Sequence, residues 1–181
     1  EEQLVNYYIE NVKGLPMEVR DKAGNILPVD AQTGFPQYYG MSLEEFVRLY
    51  MEEARAEGVN PEVAFAQAMM ETGFLKFGGD VKKDQYNFAG IGAIGGGSSG
   101  AKFDSIRIGI RAHVQHLKAY ASKEALKQPV VDPRFQYVKR GSAEYVQWLG
   151  QKENPNGYGW ATAKNYGNNI VKLYILPMKK Y

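Results

Sequence analysis

The stretch "NPEVAFAQAMMETG", Asn60 to Gly73, constrains this chain more than any other. Asn60 is a capping residue type, Pro61 suits the first helical position, and Gly73 suits the left-handed residue that ends a helix. The spacing therefore predicts a helix running to about Thr72. Wound at about 100° per residue, it carries apolar or small side chains around its whole circumference: Val63 and Met70 lie to one side of Ala64 and Ala68, and Phe65 to the other. A helix without a polar face must be enclosed, so it is expected at the centre of the fold.

The enclosing elements follow from the same kind of signal. "SLEE" starts a helix at Ser42 with Glu45 closing a capping box, and it carries Leu43, Phe46, Val47, Tyr50, Met51 and Ala54 at helical spacing until Gly58 stops it. Another spans about Ser105 to Ser122, with Ile106, Ile110, Val114, Leu117 and Ala121 along one stripe. Ser142 caps a short helix through Leu149, and a last helix holds Ala163, Tyr166, Ile170 and Leu173 and ends before Pro177. Between Phe77 and Phe103 the chain is too rich in glycine for a regular helix and reads as a loop or short β-hairpin. Residues 1–41, with Pro16, Pro28 and Pro36 and turn signals at Lys22 to Asn25 and Thr33 to Pro36, show no sustained period. They read as an extension packed on a domain formed by residues 42–181. The expected class is α+β, mostly α, and 181 residues suffice for one domain with a proper core.

Composition narrows the function classes. No cysteine is present, so disulfides and thiolate chemistry are excluded. The net charge of +2, from 22 basic and 20 acidic residues without long runs, does not suggest nucleic acid, though it suits an anionic polymer. No apolar run approaches the ~18 residues of a membrane span, and the opening "EEQLVNYY" reads as a mature or trimmed chain from which any targeting signal has gone.

Within the central helix one carboxylate stands out. Glu71 shares a face with Ala64, Gln67 and Ala68 and sits in the last turn, where the negative end of the helix dipole and apolar neighbours both favour the protonated form. A carboxylic acid held neutral is what a general acid for glycosidic-bond cleavage requires, because the leaving oxygen must receive a proton. An ion pair or a backbone cap is the plain structural alternative for such a residue. Its surroundings favour chemistry: Phe74 and Phe77 lead from the helix end into the glycine-rich segment with Asn87 and Phe88, and rings beside a polar amide form a cleft lip suited to sugars. Tyr158 and Trp160, in a loop of Gly, Pro and Asn with little reason to be apolar, read as stacking residues, and Trp148 reads as core.

Two other patterns lead nowhere. "GIGAIG", Gly90 to Gly95, matches a dinucleotide fingerprint but lacks the strand before it and the helix after it. His113 and His116 lie three apart on a helix without a suitably spaced third ligand, so they read as ordinary helix residues, and no metal or other cofactor is expected.

Taken together, "VNPEVAFAQAMMETGFLKFGG", "NFAGIGA", "SIRIGIRAHVQHLKAYA", "DPRFQYVKRGSAEYVQWLG" and "ENPNGYGWATAKNYGNNI" resemble the glucosaminidase domains of glycoside hydrolase family 73 from about Ser42 to Leu176. The resemblance implies a lysozyme-like fold and a bacterial peptidoglycan hydrolase, often an autolysin, that cleaves the β-1,4 bond following N-acetylglucosamine. It implies secretion or attachment to the cell wall, and glycan strands as the partner of what is expected to be a monomer. The family's E-[ST]-G motif falls on Glu71, Thr72 and Gly73, making Glu71 the implied catalytic acid, and its N-[LF]-x-G-I motif falls on Asn87, Phe88, Gly90 and Ile91. The late aromatic pattern falls on Trp160, Ala161, Thr162, Asn165 and Tyr166, with Trp in place of the family's Tyr. Phe74, Asn87, Phe88, Tyr158, Trp160 and Tyr166 are thus the expected substrate-binding residues. One departure matters: many relatives carry a second acid just before the Gly of "FDSIRIG", and here that place is Ile108. Either a water held by neutral groups such as Tyr166, or the substrate's own acetamido group, would then supply the other half of the chemistry.

Overall fold

A computed structural model describes residues 1–15, 19–20, 24–77, 81–93 and 96–181. The central helix forms as its punctuation demands: α3, Pro61–Thr72, starts where Asn60 accepts a hydrogen bond from the Glu62 N–H and ends at Gly73 in the left-handed region. Ala64, Phe65, Ala66, Gln67, Ala68 and Met69 are all buried. Around it pack α2, Leu43–Glu57, and α4, Ile106–Ala121, together with a π-helical segment, Ile170–Ile175. The capping box at Ser42 and Glu45 forms on α2, which Gly58 terminates.

Two buried carboxylates clamp α2 to α4. Glu53 accepts from Arg107 and Arg111, each at 2.8 Å, and Glu57 accepts from Lys118 at 3.2 Å and from the Lys127 and Gln128 backbone N–H groups at 2.9 Å. Burial opposes the charge on each, but these donors more than offset it and hold both pKa values below the usual carboxylate range.

The N-terminal segment differs from expectation. Residues 2–12 form an eleven-residue helix, α1 (Glu2–Val12), whose Leu4, Val5, Tyr7, Tyr8 and Val12 are buried. It carries no capping side chain, so the usual start signal is absent, but its apolar residues recur at helical spacing. Val19–Arg20 then pairs antiparallel with Ile26–Leu27 as β1 and β2, and α1 packs on α2. Tyr8 meets Phe35, Phe35 meets Phe46, and Phe46 meets Phe88, so the extension and the rest share one aromatic core. The turn expected around Lys22, Pro16, and the Ile94 and Gly95 end of "GIGAIG" lie outside the described residues.

The C-terminal helix also differs. It begins with α5, Tyr166–Asn169, widens into the π-helical segment and closes with α6, Leu176–Met178, which contains Pro177 rather than stopping before it. A proline is tolerated in the first turn after a change of helical register, because no hydrogen bond there requires its missing N–H. The register change also rotates the apolar stripe: Ile170 and Ile175, five apart, face the core, while Leu173 is 61% exposed. Ser142 caps no helix; only a 3-10 turn, Val146–Leu149, forms there. The molecule is mostly helical with little strand, as an α-rich lysozyme-like fold requires.

Candidate active site

Glu71 occupies the penultimate position of α3. The residue is exposed at the helix end, while Tyr166 and the Gly90 turn approach its two carboxylate oxygens. Burial raises its pKa above that of an ordinary carboxyl group, and a hydrogen bond from the Tyr166 hydroxyl to Oε1 lowers it by less, so the net shift is upward. Oε2 faces another element: a Cβ built on Gly90 would lie 3.7 Å from it, and Gly90 holds φ at +63°. Helix end, Tyr166 and the Gly90 turn therefore converge on one carboxylate.

Thr72 secures that position. Buried beside Glu71, it donates to the Ala68 carbonyl at 2.7 Å and accepts from the Leu75 N–H at 2.9 Å, tying the chain reversal after α3 to its last turn. Asn87 shapes the opposite wall rather than presenting a free amide. It accepts from the Ile91 N–H at 2.9 Å and donates to the carbonyls of Ile91 and Ala101 at 2.9 and 3.1 Å, which ties the Gly90 turn to the chain at Ala101. At 1% exposure its side chain has no surface for a sugar. Phe88 requires the same correction. With 0% exposure and rings of Phe46, Tyr39 and Phe77 against it, it belongs to the core, because the backbone that turns Asn87 toward the loop sends the next side chain inward.

The other expected residues lie on separate segments of the chain. Phe74, at φ +55°, packs against Tyr7, Tyr8 and Tyr174 and forms a half-buried rim on the α1 side. Trp160 stands half-buried on the far side, its ring edge-on to His116 at 4.6 Å and close to His113 and Tyr120. Its backbone is fixed by a 2.7 Å bond from its N–H to the Leu149 carbonyl. Beside it lies a pocket of about 190 Å³ lined by Gly90, Ile91, His116, Tyr120, Arg134, Tyr137 and Trp160, so Trp160 and the Gly90 turn share a wall. Tyr158 is 46% exposed on the adjoining loop and does not line that pocket. A larger pocket of about 380 Å³ opens at the other end of α3, but none of these residues lines it.

Ile108 packs against the cluster of Ala89, Ile91, Phe103 and Ala112, so the place where a second acid was sought is apolar. Ser105 caps α4, and the nearest acid in sequence, Asp104, is exposed. Two functional-site neighbours were not anticipated. Gln67 donates to the Tyr166 hydroxyl at 2.9 Å, and His113 meets Gln67 Oε1 at 2.8 Å. The polar Gln67 on an otherwise apolar, central helix was the available signal, since a buried amide needs partners. His113 and His116 turn to different partners, His116 bonding Asp132 at 2.7 Å.

Comparison with known proteins supplies an independent view. A family model, Glucosaminidase, described as mannosyl-glycoprotein endo-beta-N-acetylglucosaminidase, matches residues 47–175. A protein of Borreliella burgdorferi, named only as uncharacterized, is 46% identical over 134 residues, covering 74% of this chain. The aligned part is 62% of that relative's own length. No solved structure matches the chain.

Proposed function

This chain belongs to the glucosaminidase family, and from that premise we propose that it hydrolyses the β-1,4 bond between N-acetylglucosamine and N-acetylmuramic acid in peptidoglycan, with Glu71 as the proton donor. The observation that carries this reading is an exposed carboxyl group at a helix end, raised in pKa and hydrogen-bonded by the Tyr166 hydroxyl. In the first step Glu71 gives its proton to the leaving glycosidic oxygen as the bond to the anomeric carbon breaks. Because the expected second acid is Ile108 and the Tyr166 hydroxyl is already engaged by Glu71 and Gln67, the substrate's acetamido oxygen is the internal nucleophile. It bonds to the anomeric carbon and forms an oxazolinium ion. Water then opens that ion, the Glu71 carboxylate takes the water's proton, and the anomeric configuration is retained.

Trp160, Tyr158 and Phe74 supply ring surface along the groove, while Asn87 and Phe88 act by building its wall. Residues 42–181 carry the chemistry, and α1 with Phe35 and Tyr39 completes the core they share. The protein acts as a monomer on glycan strands outside the cell, secreted or held at the wall. Among the described residues no helix is long and apolar enough to cross a membrane.

Digestion of purified cell walls by the wild type and by Glu71→Gln tests the proposal. New reducing ends are expected from the wild type and a loss of roughly 10²-fold or more from the variant. Equal release by both would refute the role of Glu71, and wall binding without release by either would favour an inactive glycan-binding module. Mass spectrometry of the ends identifies the bond, and proton NMR of the first product reads the anomeric configuration.

A further inference from the structure

Behind Glu71 a line of polar side chains crosses the core. Tyr50 of α2 meets His113 Nδ1 at 3.1 Å, His113 Nε2 meets Gln67 Oε1 at 2.8 Å, and Gln67 Nε2 donates to the Tyr166 hydroxyl at 2.9 Å. Tyr166 then donates to Glu71 Oε1. Four helices each contribute a member, and Tyr50, Gln67 and His113 are completely buried. Enclosed in this way, the three cannot reach a substrate, so their arrangement needs another explanation.

The direction of this chain is dictated from its inner end. His113 is neutral, burial having pushed its pKa down to about 3, so one ring nitrogen donates and the other accepts. If Nδ1 carried the hydrogen, the Tyr50 hydroxyl would have to accept, and its own buried proton would be left without the His113 acceptor. Tyr50 therefore donates to Nδ1, which places the ring hydrogen on Nε2. That hydrogen requires Gln67 to present its oxygen, so the Gln67 amide nitrogen points at Tyr166. With its lone pairs directed at Gln67, the Tyr166 hydroxyl turns its proton to Glu71 Oε1. Oε1 is then an acceptor only. The acid proton of Glu71 is confined to Oε2, the oxygen facing Gly90.

We propose that Tyr50, His113 and Gln67 are positioning residues whose directed hydrogen-bond chain orients the Tyr166 hydroxyl and so confines the Glu71 proton to Oε2, the oxygen facing Gly90. The inference rests on the reading of Glu71 as the acid. It adds a division of labour: burial favours the protonated acid needed in the first step, and the oriented Tyr166 hydroxyl favours the carboxylate needed in the second. The titratable groups facing Glu71 are Tyr166 of α5 and Tyr174 of the π-helical segment. Those facing the inner chain are His116 and Tyr120 of α4 and, beside Tyr50, Tyr39.

Carboxyl NMR titration of Glu71 in the intact protein tests this without requiring turnover. Gln67→Leu cuts the chain at its middle, and Tyr50→Phe removes only the remote hydroxyl while keeping the ring. Tyr7→Phe, a core phenol outside the chain, is the control. Gln67→Leu is expected to move the Glu71 midpoint about half a unit to one unit upward, Tyr50→Phe to move it the same way by less, and Tyr7→Phe to leave it in place. The alkaline limb of the kcat profile on walls should move with the midpoint. Midpoints of Gln67→Leu and Tyr50→Phe that coincide with the wild type overturn the proposal. If Gln67→Leu does not fold, Tyr50→Phe decides alone, since it preserves shape. A midpoint that moves in a protein without wall digestion leaves the chain standing and removes the glycosidase reading; digestion with an unmoved midpoint does the reverse.

Discussion

Phe88 and Glu71 show how differently two residues of one cleft motif set can behave. Both stand in motifs that resemble a glycosidase pattern, yet one ends in the core and the other at the opening. Phe88 touches Phe46, Tyr39, Tyr50 and Phe77, so Phe88→Ala leaves a cavity at the meeting point of α2 and the glycine-rich loop. The expected cost is about 3–5 kcal/mol, read by urea unfolding, with KM on glycan unchanged in whatever fraction stays folded. A raised KM with unaltered stability would restore Phe88 to the substrate surface. At the residue scale the sequence placed a carboxylate at a helix end, where the structure has it. It did not show orientation, because an aromatic ring in a loop pattern looks the same whether the backbone turns it in or out.

Helix identity was legible wherever ends were punctuated. Asn60, Pro61, Gly73, Ser42, Glu45 and Gly58 all perform the local roles their types suit, since caps act within one turn and need no distant partner. Elements without such marks were missed or misdrawn: α1 has no capping side chain, and the C-terminal helix changes register inside an unpunctuated run. The position of α1 carries its own consequence. Tyr7 and Tyr8 reach Phe74 at 5.8 and 6.2 Å, so α1 braces the turn immediately after Glu71. Deleting residues 2–12 should uncover Phe35 and Phe74, lower the thermal midpoint sharply and produce binding of an apolar dye. A truncated protein with the parent's midpoint would show that α1 contributes no support.

Across the whole molecule, pH acts through groups that the fold holds in one charge state. His113 is neutral when folded but takes a proton near its ordinary value of 6.5 when unfolded, so acid below that value favours the unfolded chain until about pH 3. Glu53 and Glu57, both depressed, contribute stability that is present above 4.5 and lost as pH falls through their folded values. Glu71 works in the opposite sense, with its open side reducing the effect through screening. The thermal midpoint should therefore decline on acidification from about pH 6.5 and more steeply below about 4.5. Calorimetry across that range checks it, and a midpoint that stays level down to about pH 4 would contradict the burial of a neutral His113.

By itself, the sequence determined a central apolar helix, the carboxylate placed at its end, and the helices that surround it, because periodicity and end signals act locally and survive without knowledge of the rest. Only the tertiary structure decided which side chains meet. Tyr166 is ninety-five positions from Glu71, and Tyr50 and His113 are sixty-three apart, yet each pair shares a hydrogen bond. No local pattern encodes such pairings; they arise because buried polar groups must find partners once the helices pack, and that requirement joined Gln67 and His113, residues with no local mark, through Tyr166 to the Glu71 carboxyl group.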